Sequence, residues 1–359
     1  MKIGIYDPYL DDMGGGEKYM LTVAACLSND HDVTLFWDNP EDLTRVNQRF
    51  TVDISKINLA SNIFSPEVSS IKRILESRAY DVLIVLSDGS IPFVLSKKLF
   101  IHVQQPIPGA KTNIKTKFKL GRVNKIFCNS YFSKSFVDKQ LGTDSQVIYP
   151  PVELHPKKTK KENIILHVGR FRVRNIGTSD YKKQNVMIEV FKKMVKDGLK
   201  NWKFVLAVSV NQGDESSFEE LKKKAPRSSI EFFVNKTNDE LWDFYSKAKI
   251  YWHASGFGEN LEEHPEFAEH FGISTVEAMG GGAVPVVINA GGQKEIVEDN
   301  VSGFLWNTLS ELEEKTMLLV GEDKILETMS KEAVKRAKDF AGNRFCEEIK
   351  RMVEGSSNN

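Results

Sequence analysis

Pro150-Pro-Val-Glu-Leu-His-Pro156-Lys-Lys-Thr-Lys-Lys161 decides how this chain is divided. The stretch is proline-rich and then basic, and reads as a linker. On its N-terminal side, strand-like apolar runs lie at Lys2–Tyr6, Val33–Trp37, Asp81–Leu86, Leu99–Val103, Lys125–Asn129 and Gln146–Tyr149. A second series follows it at Asn163–Val168, Lys203–Ser209, Ser229–Val234, Ile250–Ala254, Ala283–Ile288 and Gly303–Trp306. Most are continuous apolar runs rather than in/out alternations, as strands covered on both faces require. Helical patterns separate them, among them Gln184–Asp197, Asp239–Lys247 and Leu309–Leu319, and Thr237-Asn-Asp-Glu240 has the form of a capping box. Two βαβ series joined by a linker predict an α/β protein of two doubly wound, Rossmann-like domains facing one another. The length of 359 residues agrees with two domains of roughly 150 residues each. From Glu322 the pattern is helical to about Val353, with a break near Gly342.

Lysine plus arginine balance aspartate plus glutamate at 49 each, so no global field draws this chain to nucleic acid. Cys26, Cys128 and Cys346 are far apart and form no C-x-x-C pair, which predicts reduced thiols in a cytoplasmic compartment. The chain opens on a strand with no signal peptide ahead of it. No apolar run approaches the ~20 residues of a membrane span. These features predict a soluble intracellular protein, at most peripheral to a membrane.

The chemistry concentrates in a few places. Glu269-His-Phe-Gly-Ile-Ser-Thr-Val-Glu277-Ala-Met holds two carboxylates eight positions apart at a loop–helix junction, and Gly280-Gly-Gly282 ends the short helix. Ionised carboxylates converging on a cleft accept strong hydrogen bonds from hydroxyls, which suits a polyhydroxylated ligand. Asp11-Asp-Met-Gly14-Gly-Gly-Glu-Lys18 precedes a helix over Tyr19–Leu27. Its glycines admit close backbone approach and the helix start offers free amides to phosphate, although a plain tight turn reads the same way. It is neither a G-x-G-x-x-G fingerprint nor a Walker loop. His167-Val-Gly-Arg170 ends a strand and Lys182 precedes the next helix, so Arg170 and Lys182 are candidates to neutralise a diphosphate at the carboxyl edge of the sheet. A solvated basic loop is the plainer alternative. His102 and His253 close strands in the first and second series.

Together these motifs resemble the retaining glycosyltransferases of family 4, which have the GT-B fold. The resemblance rests on Gly14-Gly-Gly-Glu-Lys, Ile101-His-Val, Asn129-Ser130, Val147-Ile-Tyr-Pro-Pro-Val152, Val168-Gly-Arg170 with Lys182, Glu269 to Glu277, and Gly291-Gly-Gln-Lys-Glu295-Ile-Val with Gly303-Phe-Leu. These span nearly the whole chain in order. Glu-His-Phe-Gly-Ile and Val-Ile-Tyr-Pro-Pro are especially similar to the mannosyltransferases that extend dolichol-linked oligosaccharides and to their bacterial relatives.

The resemblance implies an acceptor-side domain over 1–153, a donor-binding domain over 154–335, and a C-terminal helix and tail over 336–359 that cross back to the first domain. It implies that Glu269 contacts the donor sugar and Glu277 the ribose, while Arg170 and Lys182 hold the diphosphate. Amides around Gly15 and Gly16 close over phosphate and sugar. Phe271, Gly272, Ile273 and Ser274 reach the distal phosphate, and His102 orients sugar and acceptor beside the reacting carbon. The loop at Val234, Asn235 and Lys236 reads the base. No metal and no cofactor beyond the donor is implied. The donor is a nucleotide diphosphate sugar, with GDP-mannose the first expectation and UDP-sugars open. The acceptor is a glycan or lipid-linked glycan. An epimerase or phosphorylase on the same fold, or a non-catalytic nucleotide-sugar or glycan binder, remain alternatives.

This chain departs from the pattern in two places. Lys183 stands where many relatives have glycine, and an insertion over 256–268 adds Glu259, Glu262, Glu263, Glu266 and His264 before Glu269. Loops of that size near a cleft are often functional. The basic run from Lys111 to Lys125, interleaved with apolar residues, reads either as a solvated face or as a peripheral membrane contact.

Overall fold

The computed structural model describes residues 1–12, 14–50, 52–107, 114–172, 182–225 and 229–355. The chain divides into one compact unit of Met1–Pro151 with Gly342–Asn359, and a second of Val152–Ala341. Each is an α/β unit built on one sheet.

In the first unit, β1 (Lys2–Tyr6), β2 (Asp32–Phe36), β3 (Asn58–Ala60), β4 (Val82–Leu86), β5 (Lys98–Val103), β6 (Lys125–Cys128) and β7 (Gln146–Val147) form a parallel sheet in the order β3-β2-β1-β4-β5-β6-β7. The second sheet contains β8 (Glu162–Phe171), β9 (Lys203–Val210), β10 (Ile230–Val234), β11 (Ala248–His253), β12 (Val284–Ile288) and β13 (Phe304–Trp306), ordered β10-β9-β8-β11-β12-β13. Both sheets therefore reverse direction of growth once, between β1 and β4 and between β8 and β11. Such switch points open a crevice at the carboxyl ends of the strands. Every residue of β4 and of β12 is buried, as expected for strands with helices on both faces.

The Gly342–Glu354 helix belongs to the first unit. Its Phe345, Ile349, Met352 and Val353 share a core with Ile3, Leu21, Val23 and Leu27. Cys346 on this helix forms a disulfide with Cys26 on the Gly15–Ser28 helix, with Cα atoms 5.2 Å apart. This corrects the expectation of three reduced thiols. The two cysteines lie 320 residues apart in sequence and meet only because the last helix packs on the first. Cys128 alone is free, and burial pushes its thiol up to about 12.

The linker is more structured than its composition predicts. Lys161 donates to the carbonyls of Ala248 at 2.7 Å and Gly281 at 2.6 Å, and so binds the ends of the Asn238–Lys247 and Ile273–Gly280 helices together. Thr237 and Glu240 form the expected capping box.

Candidate functional site

In the second unit, Lys182, His253 and Glu269 meet beyond the carboxyl ends of β8 and β11. β8 runs through Gly169 and Arg170 to Phe171, longer than its apolar run alone. His253 is the last residue of β11. Glu269 follows the insertion and precedes Gly272, where the Ile273–Gly280 helix begins.

Glycines fix the Glu269 loop. Gly272 has φ +120°, a conformation L side chains rarely adopt. A Cβ on Gly292 would lie 2.4 Å from Phe271 Cα, and one on Gly291 (φ +59°) 2.2 Å from the Glu269 carbonyl oxygen. The Gly292 amide donates to that carbonyl at 2.8 Å. Gly291 and Gly292 thus form a cradle with no room for side chains, and the backbone from Glu269 to Phe271 lies directly in it.

The Glu269 side chain is 21% exposed, and its Oε2 accepts from Lys182 Nζ at 2.6 Å and from His253 Nε2 at 3.0 Å. Burial alone would push this carboxyl up. The Lys182 ammonium and the His253 donor outweigh burial and hold it well below the usual carboxylate range. Glu269 is therefore an ionised acceptor at neutral pH. His253 is 1% exposed and pushed down by burial, with Glu269 opposing, so it acts as a neutral donor. His167, beside it, donates from Nδ1 to the Trp252 carbonyl at 3.0 Å, and burial lowers it to about 3.

Glu277 sits on the Ile273–Gly280 helix and accepts from Tyr245 Oη at 2.8 Å. Ser274 shares a 2.8 Å hydrogen bond with Tyr251 Oη, Ile273 is half-buried, and Phe271 is buried with its ring against Phe340. Arg170 is exposed, and its guanidinium has no partner among the described residues. Lys183 adopts φ +57°, which accounts for a glycine preference there, and its ammonium pairs with Glu259 of the insertion. Two neighbouring lysines thus meet two carboxylates, one at each end of the inserted loop. Val234 is 38% exposed at the end of β10. The Asn235 side chain is occupied by the end of β9, accepting from Val210 N at 2.9 Å and donating to Val210 O at 3.2 Å. That leaves backbone rather than the amide to face a ligand there.

The remaining candidates belong to the first unit. The first helix starts at Gly15, capped by Gly14, so the amides of Gly15 and Gly16 precede the first intrahelical bond, from Lys18 N to Gly14 O at 3.2 Å. Glu17 folds back to accept from the Gly14 amide, and a Cβ on Gly16 would strike the Gln104 side chain. His102 is fully buried and lies flat between Tyr19 (4.2 Å) and Phe127 (4.6 Å). Its Nδ1 donates to the Phe127 carbonyl at 3.0 Å, Nε2 has no partner among the described residues, and burial lowers it to about 3. His102 is a neutral acceptor, not a cation.

The sequence marks the positions of His253 and of Gly291-Gly292 without showing what either does, and it gives no sign of Tyr245 and Tyr251. A histidine closing the strand before an acidic insertion was the available signal. Among the described residues, no group of histidine, cysteine and carboxylate side chains is arranged to hold a metal ion. No helix among them is long and apolar enough to cross a membrane.

The family model described as "Glycosyl transferases group 1" matches residues 153–336. A GDP-Man:Man(3)GlcNAc(2)-PP-Dol alpha-1,2-mannosyltransferase from Dictyostelium discoideum is 29% identical over 260 residues, covering 67% of this chain and 49% of that protein. The protein of the same description from Homo sapiens is 28% identical over 187 residues, covering 46% of this chain and 34% of its own length. The chain thus spans half or less of the length of these curated relatives. Among solved structures, Anabaena HepE in complex with UDP superposes with a TM-score of 0.76 at 19% identity, covering 99% of this chain and 100% of that one. That likeness is one of fold, and the chain has the GT-B fold.

Proposed function

This chain belongs to the glycosyl transferases group 1 family, and on that premise we propose that it moves a hexose from a nucleotide diphosphate sugar to an acceptor hydroxyl with retention. GDP-mannose is the preferred donor, on the names of its curated relatives, and a glycan or lipid-linked glycan the acceptor. The observation that carries the reading is Glu269, an ionised and partly exposed carboxylate beside Lys182, on a loop cradled by glycines. A carboxylate held in this way accepts sugar hydroxyls, and Glu277, eight positions on, is assigned to the ribose.

Glycosyl transfer passes through an oxocarbenium-like state while negative charge grows on the departing diphosphate. Arg170 and Lys182 stabilise that charge more in the transition state than in the ground state, which lowers the barrier without a metal ion. In the front-face route, the bond from the anomeric carbon to the phosphate oxygen breaks, and the acceptor oxygen bonds to the same face. The acceptor proton passes to the departing phosphate. No side-chain nucleophile takes part. His102, neutral and fully buried, is assigned to orienting a hydroxyl as an acceptor.

Steady-state kinetics of Glu269→Gln are expected to show kcat reduced by roughly a hundredfold or more, in the range of removing one preorganised electrostatic contact, with no covalent adduct by mass spectrometry. A trapped glycosyl-enzyme would contradict the front-face route, and an unchanged kcat would contradict the role of Glu269.

A peripheral contact with the inner face of a membrane is part of this proposal. The Ile114–Leu120 helix exposes Ile114 (87%) and Phe118 (69%) one turn apart, among Lys115, Lys117 and Lys119, with Arg122 just beyond. Lys111 to Asn113 of the same basic run lie outside the described residues. Changing Lys117, Lys119 and Arg122 to glutamate should lower co-sedimentation with anionic liposomes. Unchanged sedimentation would remove the membrane from the account.

A further inference from the structure

We infer that His253 is a positioning residue that holds Glu269 in place for the donor sugar, independently of Lys182. The inference rests on the role proposed for Glu269 and concerns what keeps that carboxylate aimed once a donor has entered.

Lys182 and His253 both meet the same oxygen, Oε2. Oε1 has no partner among the described residues and is the oxygen left to accept from a ligand. Lys182 cannot serve both the carboxylate and a diphosphate at full strength. The diphosphate of a nucleotide sugar carries two negative charges against the one on Glu269 and draws the flexible lysine stem toward itself. If Lys182 were the only restraint, its departure would free Glu269 to rotate as the sugar arrives.

His253 does not have that freedom. It closes a central strand, is 1% exposed, and is fixed on its other side by the Ser255 amide, which donates to Nδ1 at 3.4 Å. An Nδ1 that accepts leaves the proton on Nε2, the atom 3.0 Å from Glu269. The imidazole is therefore set as a donor toward Oε2 by the backbone that begins the insertion. Besides Glu269, the charged and titratable groups near this ring are Lys182 and His167, whose ring centroid lies 6.0 Å away. His167 is committed to the Trp252 carbonyl and the Gln184 amide.

The readout is the affinity gained when a nucleoside diphosphate carries its sugar. Calorimetric titration of GDP and GDP-mannose into His253→Ala should leave GDP within about twofold of the native value and weaken GDP-mannose roughly tenfold, the scale of one hydrogen bond to a charged group. His253→Gln, whose terminal amide can take the place of Nε2, should recover most of the sugar's contribution. His253→Asn, one methylene shorter, should not. If His253→Ala fails to fold, the glutamine and asparagine variants decide: equal affinities for GDP-mannose would overturn the inference. Equal weakening of GDP and GDP-mannose would also overturn it, because that is the signature of a structural role.

Glu269→Gln separates this inference from the reading beneath it. Loss of the sugar's contribution in Glu269→Gln but not in His253→Ala removes His253 alone. No loss in either removes the assignment of Glu269 as well. If the native protein binds UDP and UDP-glucose instead, the same comparison is made with that pair. Binding of neither pair would overturn both readings.

Discussion

At the scale of single residues, the site depends on atoms that are missing as much as on those present. Gly292 lies so close to Phe271 that even one methyl group would need the Glu269 loop to move. Gly292→Ala is therefore expected to destabilise the second unit by about 1–3 kcal/mol, the usual cost of overpacking, and to weaken donor binding by displacing Glu269. Chemical denaturation and donor titration measure the two effects. A variant that is both fully stable and fully competent would show that the cradle is not needed. Lys183 follows the same logic in reverse. A lysine is tolerated at φ +57° because its ammonium gains the Glu259 carboxylate. The departure from glycine and the acidic insertion therefore belong together.

At the scale of elements, the continuous apolar runs identified nearly every strand, because parallel strands covered on both faces leave that signature in sequence. β3 was missed. Asn58-Leu-Ala60 is three residues long and largely exposed at the sheet edge, too short for any period to register. The apolar run alone stops at Val168, but the motif His167-Val-Gly-Arg170 marked the strand end, and the ladder beside β9 continues through it to Phe171. The Lys182–Glu269–His253 cluster was legible only in part: spacing brought out Glu269 and Lys182, but no local pattern states which oxygen a distant histidine will meet. The disulfide was illegible for the same reason, since helix packing alone joins positions 26 and 346. It should stabilise the first unit by about 2–4 kcal/mol, mainly by restricting the unfolded chain. Dithiothreitol is expected to lower the melting temperature of the native protein but not of Cys26→Ser, and to release two thiols per chain, since Cys128 is buried and its thiol is held protonated. A native protein that already titrates two exposed thiols would contradict the bond.

At the scale of the whole molecule, two doubly wound units divide the assigned work. The second holds the carboxylates, lysines and glycine cradle assigned to the donor, and coincides closely with the residues the family model matches. The first holds the glycine-started helix, the neutral His102 and the exposed basic helix. The fold and family were both legible, because ordered motifs survive where overall identity is low. The acceptor was not, since no motif in the first unit encodes one.

The central claim is that the second unit binds a nucleotide diphosphate sugar through Glu269 and its neighbours. Thermal unfolding across a panel of nucleoside diphosphates and their sugars tests it most directly, because a ligand that binds the folded state stabilises it by about 2.7 kcal/mol at a hundredfold excess over Kd. The account predicts a rise of roughly 5–10 °C for a unit of this size, largest for GDP-mannose and reduced in Glu269→Gln. No shift with any member of the panel would contradict it.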